Sequence, residues 1–141
     1  MRRSFLISAV LMLLLACLFA GSAAAKAVPM DVRGRWVGQA VGADDFEYTT
    51  VKIVVDITDQ NGAAFLGNAY FDGSETPNKI SGIVHGDQMQ IITRQGYFEG
   101  GVYKKGKKTN YSGIYKCFEG FEIDEWIGAF TLVRSGMGAP L

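Results

Sequence analysis

Downstream of residue 26 the chain alternates. Val51, Ile53, Val55 and Ile57 are separated by Lys52, Val54, Asp56 and Thr58, a period of two, whereas no window sustains apolar residues at i, i+3, i+4 and i+7. Turn-forming runs punctuate the alternation at Asp59-Gln60-Asn61-Gly62, Asp72-Gly73-Ser74, His85-Gly86-Asp87 and Lys104-Lys105-Gly106-Lys107. The pattern predicts eight strands, near 34–41, 49–58, 64–71, 79–85, 88–93, 97–103, 110–118 and 125–134. The stretch Val84 to Gln88 reads as a tight hairpin.

A second pattern lies on top of the first. A large apolar residue followed two positions later by glycine recurs at Trp36-Val37-Gly38, Phe65-Leu66-Gly67, Ile80-Ser81-Gly82, Tyr111-Ser112-Gly113 and Trp126-Ile127-Gly128, at intervals close to multiples of about 15. Residues i and i+2 share one face of a strand, so each triplet sets a bulky side chain beside bare backbone. Glycine inside a strand marks a bend or a close approach, and its repetition predicts a tightly coiled sheet that closes on itself. We therefore expect an all-β fold, an eight-stranded antiparallel up-and-down (meander) barrel. A Greek-key sandwich is the alternative; it needs a long crossing connection, and the short turns here disfavour it.

The first residues carry a different signal. Met1-Arg2-Arg3-Ser4 precedes an apolar run from Phe5 to Ala20 and the small residues Gly21 to Ala25. This predicts a signal peptide over 1–25, cleaved before Lys26, and a periplasmic or secreted product. The run is shorter than the roughly 20 residues of a membrane span. Lipidation at Cys17 is the variant that would leave a membrane attachment. The rest divides into an N-terminal extension at 26–33, the barrel at 34–134 and a flexible tail at 135–141. Loss of Arg2 and Arg3 takes the basic count from 14 to 12 against 14 acidic residues, so no nucleic-acid partner is expected. Only Cys117 remains, which excludes an intrachain disulfide.

Gly34-Arg35-Trp36 resembles the G-x-W signature that opens the first strand of calycins, the group containing lipocalins, avidin-like proteins and bacterial metalloprotease inhibitors. The resemblance implies that Trp36 closes one end of the barrel, and that Arg134, at the end of the last strand, packs over its indole. Gly34 would let the chain turn beneath it.

Little points to catalysis or metal chemistry. His85 is the sole histidine and is predicted beside a turn, with no Ser/His/Asp grouping legible, and we expect neither enzyme activity nor cofactor. Two charge clusters stand out, Lys104, Lys105, Lys107 and Lys108 at one hairpin tip and Glu119, Glu122, Asp124 and Glu125 elsewhere. Strand seven between them would place them at opposite ends of the barrel. The aromatic content is high, and tyrosines need hydrogen-bond partners when buried. Phe65, Tyr70, Tyr111, Tyr115, Trp126 and Phe130 are the candidate lining of a cavity for a small apolar or aromatic ligand. Eight-stranded barrels are also just wide enough for side chains to fill, so a solid core is equally open. In that case the chain is an interaction protein with a protein partner, such as an inhibitor of a secreted hydrolase. It would act through its loops or through residues 26–33 as an inserting strand.

Overall fold

The computed structural model describes residues 29–44, 47–117 and 127–135. The expected signal peptide, Cys17, the acidic run 119–125, Trp126 and residues 136–141 lie outside the described residues. Eight strands follow one another: β1 (Gly34–Asp44), β2 (Glu47–Asn61), β3 (Ala64–Phe71), β4 (Asn78–His85), β5 (Gln88–Ile92), β6 (Gly96–Lys105), β7 (Lys108–Cys117) and β8 (Ile127–Ser135). Each pairs antiparallel with the next, and β8 returns to β1, giving a closed meander barrel. Ser135, expected in the tail, completes β8.

Several strands run further than the alternation implied, because the turns need only two residues. Asn61 pairs with Ala64, His85 with Gln88 and Lys105 with Lys108. In each loop the first residue is a glycine at positive φ, Gly62, Gly86 or Gly106, and the second is not. That is the type II′ pattern, whose twist matches the flanking strands.

The inward positions are those of the alternation: Val51, Ile53, Val55 and Ile57 on β2, Phe65, Ala69 and Phe71 on β3, Phe98 and Val102 on β6, Phe130 and Leu132 on β8. The recurring glycines also point inward, and their role is close approach. A Cβ at Gly38 would sit 1.9 Å from the Thr131 carbonyl oxygen, and one at Gly113 2.0 Å from that of Glu99. The backbone of the adjacent strand occupies the space a side chain would need, as strong coiling requires.

One irregularity breaks the period. The β2–β3 register shifts between Ile57 and Asp59, leaving Thr58 as the extra residue of a bulge. Beyond it Gln60 pairs with the inward-facing Phe65. Without the bulge Asp59 would hold that face. The bulge thus aims an amide under the barrel's lower end, where the N-terminal segment crosses.

Candidate functional site

That lower end is sealed by the chain's own start. Val32 is fully buried, and its N–H donates to Gln60 Oε1 at 2.9 Å. Gln60 Nε2 donates in turn to the carbonyls of Met30 at 2.9 Å and Gly62 at 3.0 Å. The buried Trp36 indole donates from Nε1 to the Val32 carbonyl at 2.9 Å. Trp36 and Arg134 are register partners on β1 and β8, and the Arg134 guanidinium carbon lies 5.9 Å from the indole centroid. Arg134 also donates to the carbonyls of Asp31 at 3.2 Å and of Arg33. Gly34 adopts a φ of 121°, the turn that lets the chain enter β1 beneath the guanidinium. Residues 30–33, proposed above as part of a free inserting strand, are instead bound into the floor.

Above the floor the candidate lining residues separate. Phe65, Tyr111, Tyr115 and Phe130 point into the barrel and are buried. Tyr70 does not: it pairs with Val54 on the outer wall, because Ala69 and Phe71 take the inward positions of β3. Sequence alternation alone leaves this register open by one residue. Phe71 and Phe98, absent from the candidate set, take part inside; the signal for them is the same alternation read in the right phase.

Six of the inward aromatics form one column. Trp36 meets Tyr111 edge-on at 6.3 Å between centroids, Tyr111 meets Phe130 at 4.6 Å, and Phe130 meets Phe98 at 5.2 Å. Phe98 stacks on Tyr115 at 4.4 Å, and Phe71 closes the upper end at 6.4 Å from Phe98. The hydroxyls are used internally. Tyr111 donates to the Met89 carbonyl at 3.0 Å, and the Cys117 thiol donates to the Tyr115 hydroxyl at 3.5 Å. Burial raises the pKa of both tyrosines well above the usual phenol value, with the Cys117 contact adding to the rise at Tyr115.

Two clefts open on the outer wall. One, of about 570 Å³, lies over β3–β5 and is lined by Leu66, Ile83 and Ile92 with Asp59, Asn61 and Gln90 around them. The other, of about 950 Å³, lies beside the floor and joins Asp31, Arg33, Arg35, Asp56, Asn68 and Tyr70 to Arg134 and Ser135. Arg35 grips Asp56 with a two-pronged contact, 2.8 Å on each side, and both side chains are about a quarter exposed or less (26% and 21%). Arg33 grips Asp31 in the same way at 3.0 and 2.9 Å. These hydrogen bonds from Arg33 hold the Asp31 carboxyl down at about 2. The Asn68 Oδ1 is buried without a donor. Candidate chemistry for metals is not concentrated here: among the described residues no three His, Cys, Asp or Glu side chains converge.

No family model, curated protein or solved structure matches the chain.

Proposed function

We propose that this is an exported, non-enzymatic binding protein of calycin-like architecture, in which the barrel is a packed scaffold and binding takes place on its outer wall. The observation that carries the reading is the aromatic column. Ring meets ring from Trp36 to Phe71, and the two buried tyrosine hydroxyls have partners within the fold. An internal ligand would have to break these contacts to enter. The calycin-like assignment is supported by Arg134 lying over Trp36. The binding role, in preference to catalysis, accords with His85 standing exposed at the end of β4. Export rests on the character of residues 1–25.

The test is a thermal melt with and without 8-anilinonaphthalene-1-sulfonate, followed also by tryptophan fluorescence. A packed barrel leaves the melting temperature and the emission of the buried Trp36 unchanged. A dose-dependent rise in melting temperature with quenching would restore the internal apolar-ligand site lined by Phe65, Tyr111, Tyr115 and Phe130.

A further inference from the structure

We propose that the cleft beside the floor binds an acidic saccharide, a hydroxylated ligand carrying a carboxylate. The proposal rests on the outer-wall reading above and supplies its site and ligand chemistry.

The register places five hydrogen-bonding residues in one row. Ser135 pairs with Arg35, Arg35 with Asp56, Asp56 with Asn68, and Asn68 with Lys79, across β8, β1, β2, β3 and β4. Strands lie about 4.8 Å apart, so the row is about 19 Å long. The next outward positions along the same strands are Val133, Val37, Val54 and Tyr70, themselves register partners. Of that second row Tyr70 lines the cleft, and a tyrosine beside a polar row suits a sugar ring. Its hydroxyls meet the polar groups and its C–H face meets the Tyr70 ring.

Charge narrows the class. Asp31 and Asp56 are each taken up by an arginine. Arg134 donates to main-chain carbonyls and acts on the Asp31 carboxylate only at a distance, while Arg33 holds that carboxylate directly. Three arginines, Arg33, Arg35 and Arg134, line the cleft against two aspartates, Asp31 and Asp56, so the lining holds one positive charge in excess, which favours an anionic ligand. Hydroxyl donors are called for as well. Asn68 lines the cleft, and its side-chain oxygen is buried with no donor in the fold. A bare phosphate would satisfy Arg134 and leave Asn68 unserved. The Arg35–Asp56 pair fixes both side chains before the ligand arrives, so little side-chain entropy is lost on binding.

Calorimetric titration of the folded protein with trigalacturonic acid tests the proposal, with maltotriose and inorganic phosphate as comparators. Trigalacturonic acid is expected to bind, with maltotriose weaker by about tenfold for want of the charge-assisted contact. Asn68→Ala and Tyr70→Ala should each weaken binding by about fivefold, the loss of a single contact, with unchanged melting temperature. Absence of binding, indifference to both substitutions, or displacement by equimolar phosphate would overturn the saccharide assignment. Backbone amide shifts on titration separate the two readings. Shifts centred on Asn68 and Tyr70 support both. Shifts centred on Phe98, Tyr111 and Phe130 would overturn the outer-wall reading along with this one.

Discussion

The two walls of this barrel are made by the same strands and obey opposite rules. On the inner wall every tyrosine hydroxyl has a partner inside the fold and glycines stand where a neighbouring backbone leaves no room for Cβ. On the outer wall, around the floor cleft, two aspartates are each paired with an arginine, one amide oxygen has no donor, and Tyr70 stands half-buried beside them. β3 shows the contrast in consecutive residues, since Ala69 and Phe71 serve the core while Asn68 and Tyr70 face the cleft. Substitution of the inner wall should therefore register as stability, and substitution of the outer wall as binding.

The sharpest challenge is at the floor. Trp36→Ala removes a buried indole, its hydrogen bond to Val32 and the seat of Arg134, and is expected to cost about 3–5 kcal/mol. Arg134→Ala should cost about 1–2 kcal/mol through lost stacking and stem packing. The double mutant should lose less than the sum, because each residue is the other's partner. Additive losses in chemical denaturation would remove Trp36 from the inner-wall class. Next in size is Gly38→Ala, where the new methyl collides with the Thr131 carbonyl; a cost of about 1–3 kcal/mol is expected, against a near-zero effect for an alanine at an open outer position. Tyr111→Phe removes the buried hydrogen bond to the Met89 carbonyl and should cost about 1 kcal/mol, whereas Tyr70→Phe should leave the melt unchanged. Equal effects of the two would break the contrast.

Titration divides the walls in the same way. Tyr111 and Tyr115 have folded-state pKa values above the usual 10.0, so the stability they contribute is fully present below pH 10 and declines as pH rises beyond it, when only the unfolded chain ionises. Absorbance at 295 nm should show these two phenols ionising only with unfolding. The smallest effect is on the outside. Asp31 is lowered from 3.8 to about 2, so its contribution is present above pH 3.8 and lost as pH falls toward 2. The pair is more than half exposed, and screening keeps the effect slight. Asp31→Asn should flatten that step in acid melts and leave the alkaline one in place.

The barrel was legible because its two sequence periods are both backbone constraints. Alternation on β2 and the inward glycines each report directly on which face meets the next strand. The pairing of Trp36 with Arg134 came from a resemblance, and the registers of β1 and β8 place the two together. What alternation cannot supply is absolute phase in a strand apolar on both faces: Ala69, Tyr70 and Phe71 read equally well either way, and Tyr70 fell on the wrong wall. The Thr58 bulge was hidden too, since a single inserted residue leaves no compositional mark. With it went the role of Gln60, which looked like a turn residue. The cleft was illegible for another reason. Its row is assembled from five strands, and no local window contains two of its members in register.

The closure of the sheet has a kinetic side. Seven of the ladders join neighbours in sequence and can form as hairpins, but the one between β1 and β8 joins residues 100 positions apart, as at Arg35 and Ser135. Drawing together the ends of so long a loop costs about 4 kcal/mol in chain entropy. A chain emerging from the ribosome therefore keeps both sheet edges open, with the Trp36 indole uncovered, until its last strand arrives. Closure is then a single late event, and refolding should slow sharply when Gly38, where the seam is tightest, acquires a side chain.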